Sequence, residues 1–95
     1  MNYAALIEVD NGREDPEEGR MGLRDELLPA LMGMPGFVNT LLLTAYECGR
    51  GVAVVVFDSQ EAAQELVSSF AEGQEIREGV VITRKDVLEV SASSG

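Results

Sequence analysis

The sequence of 95 residues contains no histidine and no tryptophan, and Cys48 is its single cysteine. Without histidine and with one thiol, the chain cannot form a tetrahedral zinc site, a Ser-His-Asp triad or a Cys-His pair. A single cysteine also excludes an intrachain disulfide. The acidic segment Glu14–Glu18 lacks the ligand spacing of a calcium-binding loop. We therefore expect no metal site and no bound cofactor.

Basic residues are also scarce, because 7 Lys and Arg stand against 17 Asp and Glu and give a formal net charge of -10. Such a chain repels nucleic acid and anionic membrane surfaces. No apolar run approaches the roughly 20 residues that a membrane-spanning helix needs, and the first ten residues lack the basic segment of a signal peptide. We expect a cytoplasmic protein without nucleic-acid or membrane partners.

Two long apolar segments, Phe37–Glu47 and Val52–Phe57, dominate the middle of the chain, and Gly49–Gly51 is predicted to be the turn between them. Glycines suit a tight hairpin because they tolerate positive φ. Neither segment alternates cleanly between apolar and polar residues. An antiparallel strand with one solvated face should alternate, so the pattern predicts that both faces are covered.

The remaining elements flank this hairpin in a simple order. A strand is predicted at Tyr3–Val9, followed by a helix that is capped by Asp15, has Pro16 at its first position and should bend at Pro29. A second helix, with Asp58 as cap, starts at Asp58 or Ser59 and should bury an apolar stripe of Ala62, Ala63, Leu66, Val67 and Phe70. A last strand is predicted at Val80–Val90. Gln74–Gly79 is predicted to be a loop, and residues 91–95 a frayed tail. The order βαββαβ predicts one α+β domain over residues 1–95, with a ferredoxin-like antiparallel sheet and both helices on one face.

That arrangement leaves the other sheet face open. Because the hairpin strands are apolar on both sides, the open face is predicted to pack against the same face of a second copy. The expected partner is therefore another copy of this chain, in a homodimer.

The chain also resembles a known group of proteins. Pro35-Gly36-Phe37 follows the first helix, and Phe57-Asp58-Ser59 leads into the alanine-rich start of the second. These features are similar to the dimeric α+β barrel superfamily, and within it to antibiotic biosynthesis monooxygenase-like domains. The resemblance implies a cofactor-independent oxygenase that acts on a phenolic or polyketide-like substrate. The family often has tryptophan where this chain has Phe57, and haem-degrading members use a histidine that this chain lacks.

Three polar residues are candidates for orienting such a substrate: Asn39, Tyr46 and Arg84. Asn39 and Tyr46 should lie on opposite faces of one strand, by parity. Tyr46 could equally fill the strand end as an aromatic anchor, and Arg84 could pair with an acid such as Asp86. Two alternatives to the oxygenase remain open: a non-catalytic, stress-associated or ligand-binding barrel, and an isomerase of the muconolactone type. In each case a small apolar or aromatic molecule is the expected ligand.

Overall fold

The computed structural model describes residues 1–12, 15–77 and 79–94, which form two helices and five strands. The strands are β1 (Tyr3–Asp10), β2 (Phe37–Ala45), β3 (Arg50–Phe57), β4 (Glu75–Arg77) and β5 (Val80–Glu89). The first helix, α1, consists of three consecutive segments, Pro16–Gly22, Leu23–Leu27 and Leu28–Met32, and the second, α2, is Gln60–Ser68. Residues 13, 14, 78 and 95, which belong to the predicted loops, acidic segment and tail, lie outside the described residues.

The strands form one curled sheet in the order β2-β3-β1-β5-β4, and all neighbouring strands are antiparallel. The α+β class is thus confirmed, and the arrangement is compatible with a ferredoxin-like fold. The prediction of a loop over Gln74–Gly79 is wrong in part, because β4 lies within it. Hydrogen bonds from the Ile82 amide to the Gln74 carbonyl, at 2.9 Å, and from the Gly73 amide to the Ile82 carbonyl, at 2.7 Å, fix this short edge strand.

Both helices pack on the same face of the sheet, which is called the helix-side face. Ala5 of β1 stands opposite Val55 of β3 and Val87 of β5, and all three side chains point to this face. The buried core joins these strands to the helices: Ala5, Ile7, Leu31, Val55, Phe57, Ala63, Leu66, Val67 and Ile82. The apolar stripe predicted for the second helix therefore supplies much of the core.

Helix α1 begins as predicted, with the Asp15 side chain accepting a hydrogen bond from the Glu18 amide and Pro16 in the first turn. The predicted effect of Pro29 takes the form of a π-helical segment, Leu23–Leu27, just before it. There the Leu28 amide bonds to the Leu23 carbonyl, one residue further back than in an α-helix. A proline ring clashes with the carbonyl four residues earlier and has no amide hydrogen to donate, and the wider π-turn accommodates both effects.

The second helix is capped by Ser59, whose hydroxyl accepts a hydrogen bond from the Ala62 amide at 3.2 Å. The interpretation of Asp58 as the capping residue is therefore wrong. Asp58 ends the preceding strand connection instead, with its amide bonded to the Gly36 carbonyl at 2.9 Å. Both residue types are good caps, so composition could not separate them.

The turn between β2 and β3 lies at Tyr46–Gly49, not at Gly49–Gly51 as predicted, because β3 already begins at Arg50. Gly49 has a φ of 67°, and a Cβ there would collide with the carbonyl oxygen of Gly12. Gly51 is an ordinary strand residue between Val9 and Thr44. The turn requires a glycine at one position only, and the second glycine has a different role, described below.

Candidate functional site

A cavity of about 380 Å³ lies between α1 and the helix-side face of the sheet. Helix α1 forms one wall with residues spaced three and four apart, which share one side of a helix: Gly19, Gly22, Leu23, Glu26, Leu27, Ala30 and Leu31. The opposite wall comes from the sheet: Ile7, Val9, Leu42, Ala53, Val55, Val80 and Ile82.

Small residues on both walls explain why this space is hollow. Gly51 and Ala53 are consecutive helix-side positions on β3, and Gly19 and Gly22 lie on the facing side of α1. Protein interiors are normally filled to the density of organic crystals. Here three positions have no side chain and the fourth, Ala53, has only a methyl group, so the gap between helix and sheet stays open.

Among the described residues that line the cavity, four have polar side chains: Asn11, Glu26, Thr44 and Tyr46. Ligand sites are typically clefts of about 300–1,000 Å³ with apolar walls and a few polar groups. The volume of about 380 Å³ is two to three times the roughly 150 Å³ that accommodates benzene. The site therefore fits a fused aromatic system or a short aliphatic body that carries one or two polar groups.

A second, more open depression runs along the other side of α1 against the edge strand β2, and we call it the groove. Its lining includes Arg20 and Arg24, and it shares a wall of four residues with the cavity: Leu23, Leu42, Thr44 and Tyr46. Arg20 and Arg24 are four residues apart, so both guanidinium groups lie on the groove side of the helix. The cavity and the groove are thus neighbouring parts of one site.

Arg20 and Tyr46 meet where the cavity and the groove adjoin. The Arg20 guanidinium carbon lies 4.8 Å from the centre of the Tyr46 ring, which is a cation–π contact. Arg24 points to its neighbour Asp25, with 3.0 Å between Nε and Oδ1. That hydrogen bond and the charge of Asp25 raise the pKa of the Arg24 guanidinium above its usual value. Arg24 is therefore a cation at any physiological pH.

The three residues predicted from sequence lie on two different faces. Tyr46 lines the cavity, while Asn39, opposite Val56, is on the sheet face that carries no helix. This agrees with the predicted parity of β2, since the irregularity in its pairing lies before Asn39. Arg84 is also on the helix-free face, opposite Glu8. Asn39 and Arg84 belong to strands three positions apart, or about 14 Å at 4.8 Å per strand.

Arg84 forms an ion pair with Asp86, which is the alternative to a substrate-orienting role that its sequence context offered. Its Nε lies 2.8 Å from Oδ2 of Asp86. Since Arg84 and Tyr46 point to opposite faces of the sheet, they cannot contact the same small molecule within one chain. Of the three candidates, Tyr46 is the one that the structure places at the cavity.

Sequence reasoning missed the residues that accompany Tyr46, namely Asn11, Arg20, Glu26 and Thr44. The spacing of glycines and apolar residues along α1 was a usable signal for the cavity wall. The signal for Arg20 was fainter: an arginine pair four residues apart in a strongly acidic chain. No sequence pattern marks Asn11 and Thr44 as neighbours, because only the pairing of β1 and β2 with β3 brings them to the same end of the sheet.

The sheet face without helices is called the open face, and it is largely apolar. Leu41, Leu43 and Leu88 are 63%, 51% and 46% exposed. Strand register places them around a centre formed by the alternate residues of β3 and β1: Val52, Val54, Val56, Ala4 and Leu6. Charged pairs lie toward one end, Glu8 with Arg50 at 3.7 Å and Arg84 with Asp86.

In residues 1–12, 15–77 and 79–94, no group of three or more His, Cys, Asp or Glu side chains is arranged to hold a metal ion. The helices in the same ranges are too short or too polar to cross a membrane. Cys48 is exposed, and its thiol lies 3.8 Å from the Ala45 carbonyl oxygen.

No protein-family model and no curated protein matches the chain. The resemblance to monooxygenase-like barrels therefore stays a prediction, and function must be argued from the cavity, the groove and the open face.

Proposed function

We propose that this protein binds a small, largely apolar molecule in the cavity beneath α1, as a homodimer of the ferredoxin-like, dimeric α+β barrel type. The observation that carries the proposal is a hollow of about 380 Å³ whose walls, over the part of the chain that the structure describes, are apolar except for four side chains. A chain of 95 residues has little core to spare. Leaving such a volume empty sacrifices packing contacts, which a ligand would restore.

The test fills the cavity without disturbing the fold. Gly22 lines the cavity and has helical dihedral angles, φ −62° and ψ −42°. Leucine is the better helix former by about 1 kcal/mol, so Gly22→Leu should fold normally while its side chain occupies the ligand's space. Inserting a side chain into occupied space costs about 1–3 kcal/mol, so binding should weaken roughly tenfold or more.

The measurement is a calorimetric or NMR titration with 2-naphthylmethanol, an uncharged aromatic alcohol of suitable size. Met21→Leu is the matched control, because Met21 is the exposed neighbour of Gly22 and is 54% exposed. Loss of binding in Gly22→Leu with retention in Met21→Leu supports the proposal. Equal binding by both variants would place the ligand elsewhere, and no binding by the unaltered protein, with no small molecule found in native mass spectra, would contradict the proposal.

Catalysis would be a further property of the same cavity. An apolar site that excludes water favours reaction of a bound phenolate or enolate with oxygen, as the resemblance to monooxygenase-like domains implies. With an anthrone-type probe, one oxygen atom enters the ring as a carbonyl and the other leaves as water. Oxygen uptake that is abolished in Gly22→Leu supports this activity. Binding without uptake contradicts the oxygenase activity and leaves the non-catalytic barrel and the isomerase as alternatives.

The dimer part of the proposal rests on the open face. Three large leucines are about half exposed or more, on a surface whose centre holds only aliphatic side chains. Contiguous apolar patches of this kind mark interaction surfaces. The second copy is the favoured partner, because the same face on both chains is apolar in the centre and bears charges of both signs at one end.

A further inference from the structure

Arg20 differs from the other basic side chains that the structure describes. Each of the others has a partner: Arg24 with Asp25, Arg50 with Glu8, Arg84 with Asp86, and Lys85 with the carbonyl oxygens of Val67 and Phe70. Within the described residues, the Arg20 side chain has no carboxylate or carbonyl partner, and its guanidinium lies against the Tyr46 ring. In a chain of net charge -10, with acids in large excess, an arginine left without an acid is unusual.

Arg20 lies where the cavity and the groove adjoin. Its guanidinium lies against Tyr46, and the Tyr46 side chain lines both the groove and the cavity. A planar guanidinium with its donors free is suited to bind a carboxylate through two parallel hydrogen bonds. Arg24, one helical turn further on, adds a second positive charge to the same groove.

We infer that the ligand is an amphipathic organic anion, with its apolar body in the cavity and its carboxylate at Arg20 in the groove. This inference rests on the proposed function of the cavity and adds the chemical class of its ligand. Tyr46 stands between the two parts, because it lines both the cavity and the groove.

The acids near the site fix the orientation of such a ligand. Glu26 lines the cavity but not the groove, six residues beyond Arg20 on α1, or about 9 Å along a helix axis. It repels a carboxylate from the far part of the cavity. Asp25 is occupied by Arg24. The anionic end of the ligand is therefore directed to the Arg20 end of the site.

The experiment compares three probes that share one apolar body and differ in charge: 2-naphthoate, 2-naphthylmethanol and 2-naphthylmethylammonium. Each is titrated at neutral pH and low salt into the unaltered protein, Arg20→Gln, Arg20→Lys and Arg50→Gln. Arg50→Gln removes the same charge from the open face and controls for net charge. Thermal melting verifies that each variant is folded.

A charge-assisted hydrogen bond exceeds a neutral one in strength, so the naphthoate should bind about tenfold more tightly than the alcohol. Arg20→Gln should abolish this preference, so that the naphthoate and the alcohol bind this variant with similar affinity. Arg20→Lys should keep part of it, and Arg50→Gln all of it. Added salt should reduce the preference.

The opposite outcomes separate this inference from the proposed function. Equal affinity for anion and alcohol, or a preference for the ammonium probe, overturns the anionic class while the cavity remains a binding site. An anion preference that survives in Arg20→Gln places the carboxylate elsewhere and also overturns the inference. Failure of all three probes to bind contradicts the proposed function itself.

Discussion

Leu41→Glu is the sharpest test of the open face, because Leu41 is the most exposed of its leucines, at 63%. The side chain lies on β2 opposite Val54 of β3, and β1 continues the same row with Leu6. If the open face packs against a second copy, Leu41 becomes buried there. A glutamate at this position would bring a charge into an apolar interface.

The size of the effect follows from the exposed fraction. Full burial of a leucine side chain contributes about 1.5–3 kcal/mol, so the 63% that remains exposed corresponds to about 1–2 kcal/mol. A symmetric dimer contains the position twice, which makes about 2–4 kcal/mol for the pair. The dimer should therefore dissociate roughly 30-fold to 1,000-fold more readily, before any cost of the buried carboxylates is added.

The assay is light scattering or analytical ultracentrifugation over a dilution series that begins in the micromolar range. The chain mass is 10.2 kDa, so the unaltered protein should show twice that mass where Leu41→Glu already shows the single chain. Met32→Glu is the control, since Met32 is 59% exposed but lies on α1, away from the open face. It should leave the dimer unchanged.

Two results would refute this reasoning. A monodisperse monomer of the unaltered protein at micromolar concentration would mean that the open face has no second copy as its partner. A dimer that Leu41→Glu and Met32→Glu affect equally would mean that the chains associate through another surface. Circular dichroism of each variant separates loss of the dimer from loss of the fold.

Two further predictions concern the fold that carries the site. Ser59→Ala should lower the free energy of unfolding in urea by about 1 kcal/mol, because the cap of α2 is lost. Asp58→Ala should lower it less. A larger loss in Asp58→Ala than in Ser59→Ala would contradict the assignment of Ser59 as the cap. Gly36→Ala should lower the melting temperature more than Gly73→Ala. Both glycines have φ above 80°, which strains any other residue. Only at Gly36 would an added Cβ also meet a neighbour, because it would lie 2.6 Å from Asp58 Oδ1. Equal losses of melting temperature in the two variants would show that this contact relaxes without cost.

The sequence predicted the larger elements well, for physical reasons that can be named. The apolar hairpin strands, the Asp15-Pro16 start of α1 and the stripe along α2 are local signals, since each depends on residues close in the chain. β4 escaped prediction because a strand of three residues, Glu75–Arg77, is too short to show a period. It exists because β5 offers it a pairing edge.

The misplaced turn has a similar cause. Gly49 and Gly51 are equivalent as sequence signals, since either could adopt positive φ. Their difference arises from tertiary contacts: Gly49 approaches Gly12, whereas Gly51 faces Val9 and Asn11 at the end of the cavity. A single sequence does not distinguish a glycine that a turn requires for its positive φ from one that lets neighbouring side chains approach the backbone closely.

The candidate site was harder to predict than the fold, because its residues come together only through the pairing of the strands and the position of α1 on the sheet. Tyr46 could be proposed from its chemistry, but its neighbours could not. Arg20 comes from α1, and it meets Tyr46 only when the helix lies across the sheet at this position. Parity along β2 did correctly separate Asn39 from Tyr46, because a strand alternates faces regardless of what surrounds it.

Alternate residues of β3 face the cavity and the open face, so the strand connects the proposed ligand site with the proposed dimer interface. Gly51 and Ala53 border the cavity on one face, while on the other face Val52 and Val54 pair with the exposed Leu43 and Leu41. This part of the strand thus lies between the cavity and the open face. A ligand or a partner that binds only the folded chain adds stability by mass action. The fold should therefore be more stable with its cavity occupied and its open face paired, and stability measured on variants is comparable only at equal protein and ligand concentrations.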